Sequence, residues 1–409
     1  MVLQEYRRWN PPERGDLPRM PGRNESFPWL PVIFVTAIFY LNFTSRVILA
    51  PLLPVIEQDL GIGHGEAGSL FLYIALGTGA GLLLSGFVSS RMTHRMIITL
   101  TILLVGITLM AVSFSRSLGL MRGGLVLMGG FAGFYVPSAI ATLTGLARQE
   151  HWGRALAIHE LGPNLGFITV PLLAEALLRF FTWRGSLALI GGAAVLLGVL
   201  FLIRGKGGRH KGEAPRFQFM RRIVKTPSYW VMISLFTVSI GSSVGIYSMI
   251  PLFLVNEMNM DRTWANGLIG FSRVFGILVL FLSGFITERF GPKNAMGFFL
   301  SSTAGFTLLL GALRGPAMTP VLMFLQAASV ACLFPVGFTV LSLLFPLQVR
   351  GTAVSLVMLV ASLLGGGLLP SAIGHWAEAF SFSSAFIFFG ALCLALLPLF
   401  LRAGKGLEV

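Results

Sequence analysis

Acidic residues are scarce in this chain. Its 409 residues include 16 Asp and Glu against 30 Lys and Arg, and only 11% are charged. A soluble domain carries roughly a quarter of its residues as charge, so this composition excludes one. Cysteine is nearly absent: Cys332 and Cys393 both lie in apolar runs. That excludes a disulfide framework or a cysteine metal site and reads both as small core residues. Segments of about ten residues with alternating polarity, the mark of a transmembrane barrel, are also missing. So is a phosphate-binding loop, because Gly77-Thr78-Gly79-Ala80-Gly81 and Gly365-Gly366-Gly367 are not followed by Lys-Ser/Thr. These glycines read as close helix contacts, and any work the protein does draws on gradients rather than ATP. No nucleophile, base or metal cluster stands out, so neither an enzyme nor a cofactor is expected. A cleavable signal is not expected either: the first 28 residues are polar and the first apolar run is too long.

What is present is long apolar runs, 55% hydrophobic residues in all. Crossing the hydrocarbon takes about 20 apolar residues per helix. Twelve such runs follow one another, from 29–56 at the start to 383–402 at the end. The expected fold class is an all-α membrane protein of twelve transmembrane helices. The net charge of +14 is distributed along the loops in a telling way. With the N-terminus cytoplasmic, 22 basic residues fall in the cytoplasmic tails and loops and six in the external ones. This is the positive-inside bias, which removes the need for a nucleic-acid partner and places both termini in the cytoplasm. The two remaining basic residues, Arg46 and Arg273, fall inside apolar runs.

The sequence repeats itself. Ser85–Arg95, SGFVSSRMTHR, realigns with Ser283–Lys293, SGFITERFGPK, at an offset of 198 residues, and Pro137 realigns with Pro335 at the same offset. Two separated matches at one offset imply two pseudo-symmetric six-helix halves. The boundaries follow: a tail 1–28, a bundle 29–204, a basic linker 205–227, a second bundle 228–403 and a tail 404–409. Basic and apolar residues mix over Phe217–Ile223, which suits a surface-lying segment.

Two such halves with a glycine-basic loop after the second helix of each resemble the major facilitator superfamily. Gly284, Glu288, Arg289, Gly291 and Lys293 match that loop pattern. The first copy keeps Gly86, Arg91 and Arg95 but carries Ser90 and Thr93 where the family tends to have Asp and Gly. The resemblance implies a transporter working as a monomer in the inner or plasma membrane. It implies a substrate site near the midplane, between halves that rock about it.

Arg46 and Arg273 then become the candidates for function. The repeat pairs them with Val244 and Ala75, so the scaffold does not need an arginine at either matching place. An arginine at such depth costs about 2.5–3.5 kcal/mol on insertion scales. Asn42 stands four residues before Arg46, and Asn266 seven before Arg273, so each shares a polar helix face with its arginine. Glu160 is the internal acid expected to oppose them, with Glu175 expected to pair with Arg179 one turn later. One carboxylate cannot neutralise two guanidiniums, and a small organic anion would complete the site. Tyr247 and Phe275 are candidate walls of the substrate site, and His159 with Glu160 is the candidate for proton coupling or gating. A lone arginine in the eighth span resembles that of the monocarboxylate transporters and the oxalate/formate exchanger, which implies that Arg273 grips a carboxylate. An arginine in the first span is similar to that of sialin-type organic anion symporters, although Ser45 takes the place of their acid. The expectation is a proton-coupled carrier of a small, monocarboxylate-like anion. A lysolipid or drug exporter of the same fold, and a membrane sensor, are the alternatives.

Overall fold

The computed structural model describes residues 27–212, 217–345 and 347–403. Apart from Phe27 and Pro28, the two expected tails lie outside the described residues. Among the described residues twelve long helices follow one another. In the first half they are α1 (Trp29–Leu60), α2 (His64–Arg91), α3 (His94–Ser113), α4 (Leu118–Leu146), α5 (Trp152–Leu178) and α6 (Trp183–Arg204). In the second they are α7 (Pro227–Glu257), α8 (Arg262–Phe290), α9 (Pro292–Ala312), α10 (Met318–Leu344), α11 (Thr352–Ala379) and α12 (Phe382–Ala403). A short helix, Phe217–Val224, precedes α7 where the mixed basic and apolar segment was read. Among the described residues there is no strand, only an isolated bridge between Thr93 and Lys211.

Local chemistry sets the helix limits. Thr93, Ser117, Thr182 and Asp261 cap the first turns of α3, α4, α6 and α8, each side-chain oxygen accepting a backbone N–H of the new helix. At the end of α1, Gly61 adopts φ 62°, a left-handed conformation that glycine reaches without strain, and the helix outruns its expected end. Next to Arg46, α1 is interrupted at Ile48, and Pro51 and Pro54 follow within two turns. Each proline removes one helical N–H, which is where a helix bends. In α7 the helix widens into π-helical turns at Gly241–Gly245 and Phe253–Glu257, and α11 does so at Ser362–Leu368. Such turns leave carbonyls free for side chains, and they recur at functional sites.

The glycine clusters are close contacts, as expected. A Cβ at Gly77 would land on the Val126 carbonyl of α4, and one at Gly365 would meet the Thr237 carbonyl of α7 at 2.5 Å. Small residues let membrane helices approach to backbone contact.

The apolar cores tell how the halves meet. We call the end where α1 begins the tail side, and the end at the α1–α2 turn the far side. A far-side core joins both halves, with Leu52, Ile56 and Ile74 packed among Met249, Ile250, Phe253 and Phe386. On the tail side each half has its own core. One gathers Val35, Ile98, Tyr135 and Leu143; the other gathers Phe236, Phe299, Leu333 and Leu341. The halves are therefore fastened together at the far side and keep separate cores at the tail side.

Gly77→Ala should lower the thermal midpoint, because overpacking against backbone costs about 1–3 kcal/mol. Gly123→Ala, whose Cβ meets nothing within 4 Å, should hold or raise it. Equal midpoints for the two purified variants would contradict this packing.

Candidate functional site

The bend in α1 sets the first wall of the site. Asn42 and Arg46 share one helix face, as their spacing requires. Asn42 is 1% exposed, and both polar atoms of its amide lack a hydrogen-bond partner. Arg46 is half-buried, and its Nε is likewise without a partner. Its guanidinium lies 5.6 Å from the centroid of the Phe43 ring. Among the described residues no carboxylate approaches it.

The second wall comes from α7 and α8. Arg273, 8% exposed, donates from Nη2 to the Ser243 carbonyl at 3.2 Å. That carbonyl belongs to the π-helical turn of α7, and the neighbouring Ser242 carbonyl accepts from Gln326 of α10 at 3.1 Å. The Arg273 guanidinium stands 5.0 Å from both the Phe167 and Tyr247 ring centroids. No described carboxylate reaches it either.

Three rings connect the walls. Phe43 meets Phe167 edge-on with centroids 4.8 Å apart, and Phe167 meets Tyr247 edge-on at 5.1 Å. A continuous path of contacts thus runs from Arg46 through Phe43 and Phe167 to Arg273, crossing from one half to the other. The Tyr247 hydroxyl reaches the Phe167 carbonyl at 3.4 Å. Ring faces attract a cation but do not neutralise it. The centre of the molecule therefore holds two guanidiniums and an idle amide, an arrangement suited to an anion.

Four expectations fare differently. Glu160 turns outward, its side chain 65% exposed, so it is not the internal counter-charge. One residue earlier His159 faces inward, 1% exposed, stacked on Phe39 with centroids 4.3 Å apart. The Tyr135 hydroxyl donates to the Val35 carbonyl at 2.6 Å and so accepts from His159 Nε2 at 3.1 Å, leaving Nδ1 3.9 Å from Glu160. Adjacent helix positions face about 100° apart, which is why the two part company. Glu175 pairs with Arg262 of α8 rather than with Arg179: Nε to Oε1 is 2.8 Å and Nη2 to Oε2 is 3.4 Å. Asn266 joins that pair, donating to Glu175 at 2.8 Å and to the Pro51 carbonyl at 3.4 Å, so it ties α8 to α5 and α1. Phe275 is 38% exposed and packs on Phe324, 5.9 Å away, away from the ring path.

The repeated loops diverge where the sequences do. Gly291 sits at φ 79° between α8 and α9, a conformation that favours glycine. Gly284, Glu288 and Arg289 are exposed around it, and Lys293 is half-buried. In the first half Thr93 takes the place of Gly291 at φ −69° and caps α3 instead. The linker then straps that loop: Arg95 N–H donates to Gly208 at 2.7 Å, His94 N–H to His210 at 3.1 Å, and Gly212 N–H to Ser89 at 2.8 Å. The Arg95 side chain reaches the Leu202 carbonyl at 2.9 Å, while Arg91 is exposed and Gly86 half-buried.

Phe167, Ser243 and Gln326 were not foreseen. Phe167 is one of 35 phenylalanines and carries no local signal, and a π-helical turn has none either.

Twelve membrane helices in two halves, with a cation-rich centre lined from both, define a membrane transporter of the two-bundle kind. The comparisons agree. The profile of the Major Facilitator Superfamily matches residues 32–321 and 270–406, and the chain belongs to that family. It is a transporter, not an enzyme. The 4-hydroxybenzoate transporter PcaK of Acinetobacter baylyi is 22% identical, over 91% of this chain and 89% of that one. The membrane sensor protein UhpC of Escherichia coli is 22% identical, over 74% and 73%. A probable hexose phosphate transport protein of Chlamydia pneumoniae aligns at 22% over 42% of this chain and only 37% of its own length. Among solved structures, an inward-facing bacterial homologue of the human lysosomal transporter Spinster superimposes with a TM-score of 0.76, at 16% identity, over 93% and 95% of the chains. The D-xylose-proton symporter does so with 0.74, at 14% identity, over 91% and 97%.

Asn42→Leu should raise the thermal midpoint of the ligand-free protein, because each orphaned buried polar atom costs about 1–3 kcal/mol. Asn266→Leu removes made bonds and should lower it. A loss of stability in Asn42→Leu would show that its amide already has partners.

Proposed function

We propose that the protein is a secondary transporter of a small organic anion, monocarboxylate-like, moved by alternating access together with a proton. The observation that carries this reading is that Arg46 and Arg273 have no carboxylate partner among the described residues, although both lie at the centre of the helix bundle. An uncompensated guanidinium in a poorly hydrated interior is costly, and a carboxylate that binds two donors in a plane offsets that cost. PcaK, named for an organic acid, lends weight to the cargo class, and the fold likeness to a proton symporter is compatible with the coupling. Arg273 is held by the Ser243 carbonyl and two rings, and serves as the fixed anchor. Arg46, whose Nε has no partner beside a helix break, is the half that adjusts. His159 is the group on this side of the molecule that offers a protonatable nitrogen, Nδ1, toward Glu160. The basic bias of the loops supports a cytoplasmic tail side.

The test is uptake into proteoliposomes with an imposed pH gradient, against lactate, a sugar acid, a dicarboxylate, nitrate and a cationic dye. Acid outside should stimulate uptake of one carboxylate. Arg46→Ala and Arg273→Ala should each reduce it about tenfold or more, since truncating one partner of a buried charge pair costs about 2–5 kcal/mol. Dye movement that survives both substitutions would instead establish the exporter, and failure of every carboxylate to move would overturn the anion reading.

A further inference from the structure

The far-side seam contains a second ionisable cluster, distinct from the arginine site. From the first half come Glu57 at the end of α1 and His64 at the start of α2, joined by His64 Nδ1 to Glu57 Oε1 at 2.9 Å and Oε2 at 3.1 Å. From the second half, Asn256 of α7 donates to Glu57 Oε2 at 3.1 Å. Glu378 of α11 accepts the Gly65 N–H at 3.1 Å, and its carboxylate lies directly against Gly63. This bond supplies the cap that α2 lacks, since no side chain of its own half caps that helix. The Phe382 ring of α12 lies 4.9 Å from the His64 ring.

Charge makes this seam conditional. Glu57 is 8% exposed, and two carboxylates of the other half lie at the same rim, Glu378 on the Gly65 N–H and Glu257 on the Phe382 N–H. Two of the surrounding charges are already matched: Glu257 by Arg314 at 3.1 Å, and Glu66 on α2 by Arg122 of α4 at 3.3 Å. Glu257 also caps α12 through Phe382 and Ser383 N–H. His375 of α11 directs Nδ1 at the Ser371 carbonyl, 2.8 Å away. His64 is left paired with Glu57 of its own half, with Glu378 of the other half held beside its backbone neighbours Gly63 and Gly65. When His64 is neutral, those two carboxylates repel across the seam. When it carries a proton, it is attracted to both.

We infer that His64 is a proton-operated clasp: its imidazolium, paired with Glu57 and next to the Gly65–Glu378 bond that crosses the seam, offsets the repulsion between the two carboxylates and holds the far side shut, and its deprotonation favours far-side opening. The neighbouring Glu175–Arg262 pair spans the same seam with an arginine in place of a histidine. The His64 side responds to acid in the range where histidine titrates.

The experiment reads distance. Spin labels at Phe180→Cys and Ala317→Cys, exposed far-side positions on opposite halves, would be introduced with Cys332 and Cys393 replaced by alanine, and the protein reconstituted in nanodiscs. Between about pH 8 and about pH 5, the short-distance, closed population should grow about fivefold or more relative to the open one, in the usual range of a coupling between sites. His64→Gln should abolish that response. His64→Lys should remain closed throughout, which separates loss of a charge from loss of folding. A pH response unchanged in His64→Gln, or absent from the parent protein, would overturn the clasp. No cargo is added, so the outcome is separable from that of the anion transport assay.

Discussion

Two guanidinium groups without carboxylates govern the centre of this molecule. Insertion of Arg46 and Arg273 into an apolar bundle has to be offset, and the surroundings do so only in part. Ring faces take up some of the field, and the Ser243 carbonyl takes one hydrogen bond. The backbone around them has yielded accordingly: α1 breaks at Ile48, and α7 widens at Gly241–Gly245. Both irregularities face the same centre, one from each half. A backbone that departs from regular helix at membrane depth is tolerated where it lines a polar site.

The seam between the halves divides the labour along its length. At the far side an apolar core spans both halves and the Glu175–Arg262 ion pair fastens its rim, whereas at the tail side the cores are separate. The ring path sits between these zones. Phe167 packs on Phe43 of its own half and on Tyr247 of the other, and it holds Arg273. A rocking motion that parts α5 from α7 would therefore disturb the anchor of Arg273. In the proposed cycle, opening and binding would be mechanically connected through that ring.

Much of the architecture could be read from the sequence, because the physics that sets it is periodic or compositional. Twelve apolar runs, the offset of 198 residues and the glycine clusters all correspond to features of the folded chain. The arginines stood out for the same reason, being exceptions to an apolar rule. What could not be read was orientation around each helix axis. Neighbours Glu160 and His159 look alike as candidates in a string of letters, yet one faces outward and the other the core. Partners from distant segments were equally hidden. Glu175 has a plausible mate four residues on, but its true mates are Arg262, Thr263 and Asn266, about ninety residues away along the chain. The departure of Thr93 from the loop pattern was visible as a letter; the linker strap that replaces the missing glycine turn was not.

The bond from Gly65 N–H to Glu378 belongs to neither half alone. The first turn of α2 is whole only while the two bundles touch at that rim. Each time they part, water must step into the carboxylate's place and be expelled again on return. In the proposed alternating-access cycle, one small hydration event at a helix end accompanies each far-side opening.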